Sequence, residues 1–133
     1  MISKNIIRVD ALDKVTGRAK YTEDLVPPHA LVAKVLHSTF ANGIVKYIDT
    51  REAEQMDGVE KVVTCFDVPD IQYATSGHPW SLDPEYRDVA DRKILNQRVR
   101  HYGDCIAAVV ARNETIADQA INLLRPEYEE YPV

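Results

Sequence analysis

Glycine is scarce in this chain of 133 residues. Its five glycines lie far apart, so no glycine-rich loop can cradle a phosphate. Cysteine is scarcer still. Cys65 and Cys105 are forty positions apart, which excludes the close pairs of zinc and dithiol sites. No apolar run approaches the ~20 residues that span a bilayer, and the N-terminus lacks the apolar core of a secretory signal. Basic charge is short as well: 16 Lys and Arg stand against 21 Asp and Glu, a net −5, with an isoelectric point near 5.3. Phosphate neutralisation needs a clustered excess of cations, so nucleic acid is excluded as a partner. The expectation is a reduced, cytoplasmic protein without membrane partners, whose cysteines behave as small buried hydrophobes.

What remains is an apolar fraction of 45%, enough for a core, in a length that suits one domain spanning residues 1–133. Residues 1–12 read as an extended arm, followed by a turn at Lys14-Val15-Thr16-Gly17. After Pro27-Pro28, residues 30–37 are apolar at nearly every place and predict a strand buried on both faces. Asn42-Gly43 signals a turn into the strand-like run 44–49, and together they suggest a hairpin with a lengthened loop. Asp49-Thr50-Arg51-Glu52 has the form of a capping box. A short helix over 51–56, ended by Gly58, follows from it.

Residues 59–66 form a β-rich run. Residues 93–99 resume a strand pattern, and Lys93, Arg98 and Arg100 in the stretch 93–101 read as a solvated edge. Residues 105–111, CIAAVVA, are the best candidate for a central strand. Asn113 can cap a helix over 114–125, with Ile116, Ala120, Ile121, Leu123 and Leu124 on one broad face and Pro126 as its end. A last strand covers 127–131. The order β-β-α-β-(loop)-β-β-α-β defines an α+β domain with a mixed β-sheet, one long helix and one short helix.

Autonomous chemistry finds no support. None of Ser38, Ser76, Ser81, Cys65 and Cys105 sits in a recognisable nucleophile setting. His29, His37, His78 and His101 are scattered without metal-ligand spacing. Glu129 and Glu130 are strand neighbours that face opposite sides, so they cannot act as a paired acid and base. No catalytic, cofactor-binding or metal residue is expected. The aperiodic stretch 70–92 is different, because compact domains rarely carry such loops without a function. Its Tyr73, His78, Trp80 and Tyr86 make it a candidate interface.

Residues 8–25, RVDALDKVTGRAKYTEDL, resemble the opening of the molybdenum-binding subunit in the xanthine dehydrogenase and aldehyde oxidase family, the molybdenum hydroxylases. Arg8, Asp10, Lys14, Val15, Thr16, Gly17, Ala19, Tyr21 and Asp24 match the pattern R-x-D-x-x-x-K-V-T-G-x-A-x-Y-x-x-D. Residues 58–70, GVEKVVTCFDVPD, resemble a second family segment, and residues 99–111 with 127–132 a third. The chain departs at Gly103-Asp104, where the family usually has Gly-Gln, at Pro126, where it has Val, and at Phe40-Ala41-Asn42-Gly43, where Ala-His is frequent. The long middle loop is most similar to bacterial multi-subunit xanthine dehydrogenases.

The resemblance implies an α/β-hammerhead fold and a place as the N-terminal structural domain of a larger subunit. It implies molybdopterin-bound molybdenum in the complete subunit, with iron–sulfur clusters and FAD on partner subunits or domains. It implies hydroxylation of purines such as hypoxanthine and xanthine with water-derived oxygen, by machinery downstream of this domain. The chain stops just after a strand with no polar tail, which points to a continuing protein. Two other readings stay open. One is the same domain in a hydroxylase for an aldehyde, nicotinate, carbon monoxide or an aromatic thioester. The other is a free-standing interaction module that uses the long loop.

Overall fold

The computed structural model describes residues 6–74 and 82–132. The chain forms two compact units, residues 1–30 and residues 31–133. In the first, the sequence pattern predicts an extended arm over 1–12 and a turn at 14–17, yet Ala11–Val15 winds into one helical turn, α1. Local polar contacts account for the difference. Asp10 receives Lys14 at 2.8 Å, one helical turn on, and Arg8 at 2.5 Å, while the Thr16 hydroxyl donates to the Leu12 carbonyl at 2.6 Å. Gly17, at φ +69°, ends the turn, and Glu23–Leu25 adds a short 3-10 turn. None of residues 6–30 is buried.

Among the described residues, the second unit holds six strands and two α-helices. β1 (Val32–His37), β5 (Cys105–Ala111) and β3 (Val59–Thr64) form one antiparallel sheet in the order β1-β5-β3. β4 (Arg98–Val99), β2 (Gly43–Asp49) and β6 (Arg125–Glu130) form another in the order β4-β2-β6. The expected single sheet is therefore two small sheets, and every pairing is antiparallel. The order of elements after residue 30 is the one the sequence predicts.

Several local expectations give way to packing. β1 and β2 are not a hairpin, because Asn42-Gly43 carries the chain from one sheet into the other. A Cβ on Gly43 would lie 2.5 Å from the Glu129 carbonyl oxygen and 2.6 Å from the Phe40 ring. Glycine is needed there for close approach to β6, not for a two-residue turn. β1 is an edge strand that alternates half-buried and exposed residues, not one buried on both faces. α2 (Arg51–Glu54) ends two residues short of the expected 51–56. Asp49, the acceptor of the expected capping box, does accept the Arg51 amide at 3.1 Å, and it takes the Arg51 guanidinium at 2.9 Å, which holds the Asp49 carboxyl down at about 2. The chain still turns away at Gly58, φ +87°.

α3 (Glu114–Ile121) starts as expected, with Asn113 Oδ1 accepting the Ile116 amide at 2.9 Å. It stops before Pro126, because Arg125 is already paired with Asp49 and Pro126 with Ile48 in β6. Pro126 lacks an N–H, which an edge strand tolerates. The buried face of α3 is Ala117 and Ala120, with Leu124 buried just beyond the helix. Ile116 and Ile121 are half-buried at the margins.

One core joins both sheets and α3. Val45, Val99, Ile106 and Val109 are fully buried in it, each contributing roughly 1.5–3 kcal/mol. Phe40 packs on Tyr128 with ring centroids 4.3 Å apart. Cys65 is buried, Cys105 half-buried, and both are free thiols.

Candidate docking surface

The stretch 70–92 leaves and rejoins the fold through a built base. Tyr73 and Arg92 exchange backbone hydrogen bonds of 2.9 and 3.3 Å, so the two limbs run antiparallel for one step. Arg92 then donates through Nη1 to Asp104 Oδ1 at 3.1 Å. Asp104 is only 3% exposed. Its Oδ2 accepts the amides of Arg100 at 2.8 Å and His101 at 3.3 Å. A buried carboxylate must be paired and hydrogen-bonded, and both oxygens are.

His101 completes the cluster. Its Nε2 lies 2.6 Å from Arg92 Nη1, and its Nδ1 lies 3.1 Å from the Tyr102 carbonyl. The same Nε2 lies 3.1 Å from Asp104 Oδ1, so the imidazole borders both the guanidinium and the carboxylate. Two further ion pairs fasten the limbs: Arg100 to Asp91 at 3.0 Å, and Lys93 to Asp70.

Sequence reasoning missed this base. Asp104 reads as a turn residue, and residues 93–100 as a solvated edge. β4 is an edge strand with Arg98 and Arg100 exposed, as read, but both arginines are also tied to the fold. Arg100 holds Asp91. Arg98 donates to the Gly43 carbonyl at 2.8 Å and to Asn42 Oδ1 at 2.6 Å, with its guanidinium 5.3 Å from the Tyr131 ring centre. β4 shrinks to two residues for the same reason: Ile94 and Leu95 turn, and Leu95 is drawn into the core. The available signal was the departure from Gln at position 104, in a stretch with arginines on either side.

Of the four candidate interface residues, two lie within the described residues. Tyr73 is exposed at the base. Tyr86 is exposed at the end of the 3-10 turn Pro84–Tyr86, which Asp83 caps by accepting the Glu85 amide at 3.0 Å. His78 and Trp80 lie outside the described residues. Ile71, Leu82 and Val89 add exposed apolar side chains that the sequence pattern did not single out.

Below the base is a shallow cavity of about 240 Å³, lined by Tyr73, Arg92, Asn96, His101, Asp104 and Cys105. Cys105 Sγ stands 3.8 Å from His37 Nδ1. That nitrogen lies 2.8 Å from the Gly103 carbonyl, so it donates there and does not serve as a base toward sulfur. Burial raises the Cys105 thiol, and Asp104 adds to the shift. Burial pushes the Cys65 thiol up to about 11. Neither is an activated nucleophile. Among the described residues, no three His, Cys, Asp or Glu side chains converge as metal ligands, and no helix is long and apolar enough to cross a membrane. Among the described residues this surface holds no reactive constellation.

Fold and surface together define a hammerhead-type α+β domain that presents a braced loop. The family described as "Aldehyde oxidase and xanthine dehydrogenase, a/b hammerhead domain" matches residues 16–132, and the chain belongs to it. Similar proteins include the xanthine dehydrogenase molybdenum-binding subunit of Escherichia coli O157:H7, 48% identical over 127 residues, 96% of this chain and 17% of that protein. The nicotinate dehydrogenase large molybdopterin subunit of Eubacterium barkeri is 32% identical over 98% of the chain and 28% of its own length. Among solved structures, quinoline 2-oxidoreductase from Pseudomonas putida 86 superposes with a TM-score of 0.80 at 29% identity, over 96% of this chain and 16% of that one. The chain thus spans less than a third of the length of each of these relatives.

Proposed function

We propose that this chain is the hammerhead domain of the molybdenum-binding subunit of a xanthine dehydrogenase-type hydroxylase, a cytoplasmic enzyme that oxidises purines such as hypoxanthine and xanthine. The observation that carries the reading is the 48% identity to such a subunit across 96% of the chain. The domain gives shape and docking. The complete subunit supplies molybdopterin-bound molybdenum, and partner subunits or domains supply iron–sulfur clusters and FAD. Among the described residues no three His, Cys, Asp or Glu side chains converge, and none is assigned to holding that group. No reaction step is assigned to them.

The 70–92 loop docks against the rest of that assembly through Tyr73, Tyr86 and their exposed apolar neighbours, with His78 and Trp80 in the same stretch. Its braced base supports this role, because limbs already held together at Tyr73 and Arg92 lose less freedom on binding.

The test is expression of the whole reading frame with its partner subunits, followed by turnover of hypoxanthine, xanthine, nicotinate, an aromatic aldehyde and carbon monoxide with an artificial acceptor. Purines should be oxidised fastest, with molybdenum retained on the large chain. Preference for another substrate would move the domain to a sister enzyme. A gene product that ends with this domain would leave only a free-standing interaction module.

A further inference from the structure

β5 is apolar on both faces, and its two faces have different fates. On one, the cross-strand rows are Val32–Ala111–Val59, Lys34–Val109–Val62 and Leu36–Ala107–Thr64. Ala107, Val109, Ala111, Val62 and Thr64 are buried there. α3 packs on that sheet, and Lys34 reaches Glu114 at 2.7 Å and Asp118 at 3.2 Å. On the other face the rows are Ala33–Val110–Lys61 and Val35–Ala108–Val63. None of these six residues is buried; Ala33, Val35 and Lys61 are exposed, and the rest are half-buried. At the β5 start, the 93–97 segment closes over the sheet: the Asn96 amide donates to the Cys105 carbonyl at 2.7 Å. The Val35 and Ala33 rows lie beyond that cover.

An antiparallel sheet with one solvated face alternates apolar with polar residues. This face breaks that rule, since five of its six side chains are aliphatic. We infer that the open face of the β1-β5-β3 sheet is the seat of the remainder of the subunit, which covers it with an uncharged, apolar surface. The inference rests on the proposed reading of the chain as one domain of a molybdenum-binding subunit.

Two observations select that occupant. The chain spans 17% of the length of its E. coli relative, so most of such a subunit lies outside it. The patch is also small. Three strands and two rows cover on the order of 200–300 Å², whereas a stable dimer needs about 800 Å² from each partner. A second copy would bind too weakly through this face alone. A tethered domain needs no such area, because its effective concentration is already high.

The test is thiol labelling of Ala33→Cys and Val35→Cys in the complete subunit. The modified peptides are resolved by mass spectrometry, and far-UV dichroism confirms that each variant keeps the parent fold. Both positions are exposed on an edge strand, so the substitutions disturb no core. Maleimide should react about a hundredfold more slowly with the folded subunit than with the urea-unfolded one, at every protein concentration, because a covered thiol reacts only on local opening. Protection below about tenfold would show an open face and overturn the inference. Protection that fades on dilution would identify a second copy and overturn it equally. The mass of the purified product separates the two failures. A product no larger than this domain defeats the functional reading, whereas a much larger product with fast labelling defeats only the placement of the face.

Discussion

The two faces of the β1-β5-β3 sheet are built from the same kinds of residue and serve different partners. Under α3, Ala107, Val109 and Ala111 have no exposure at all. One residue along in each strand, Ala108 and Val110 are half-buried and Val35 is 40% exposed. Strand alternation normally separates core from solvent. Here it separates a face that holds the domain together from one that we assign to holding a subunit together. Apolar residues in a strand therefore report the number of surfaces it must meet, and only some of them lie within its own domain.

The contrast can be broken by substitutions on each side. The largest effect is expected under α3. Leu124, 4% exposed, lies just beyond the helix, and Leu124→Ala should cost about 2–5 kcal/mol, read as a lower urea midpoint. Ile121→Ala, half-buried at the helix margin, should cost less. Equal losses would show that the covered face is centred elsewhere.

Next comes the loop base. Asp104→Ala leaves the Arg100 and His101 amides and the Arg92 guanidinium without their acceptor. It should cost about 2–4 kcal/mol and should free residues 70–92 to proteolysis before the core unfolds. Cleavage confined to the core would show that Asp104 stabilises the domain without bracing the loop.

A smaller effect is expected at Asp67, which accepts the Thr64 hydroxyl at 2.6 Å and the Thr64 amide at 2.7 Å. These donors hold its carboxyl below the usual value of 3.8. A depressed carboxylate stabilises the fold above its unfolded pKa and loses that contribution as pH falls through the folded one. The stability gap between the parent and Asp67→Asn should therefore be constant above about pH 5 and should narrow steadily in acid. A gap that widens on acidification would contradict the assignment.

Much of the fold was legible because local and tertiary demands agree. CIAAVVA was the best candidate for a central strand and is one, Asn113 caps α3 as read, and the order of elements after residue 30 follows. Legibility ended where tertiary pairing overrode local pattern. Asn42-Gly43 carries hairpin chemistry, but the Gly43 contact with β6 draws the chain into a second sheet. Leu123 and Leu124 continue the helical period, yet pairing of Arg125 with Asp49 ends α3 first. Ala117 was overlooked because a small side chain gives little apolar signal, although it is fully buried. In the candidate surface, Tyr73 and Tyr86 were legible as large aromatics in an aperiodic stretch. Asp104 was not, because a buried carboxylate looks like any turn acid until its donors are assembled around it.

The most direct measurement of the central contrast is thermal unfolding of Val35→Lys in two settings, the 133-residue chain and the complete subunit. Lysine on an exposed edge position should change the chain by less than about 0.5 kcal/mol. Beneath a docked apolar surface the same charge would be desolvated, costing about 2 kcal/mol or more, and the subunit should melt earlier and shed its molybdenum. Equal shifts in the two settings would mean that the open face meets nothing but water.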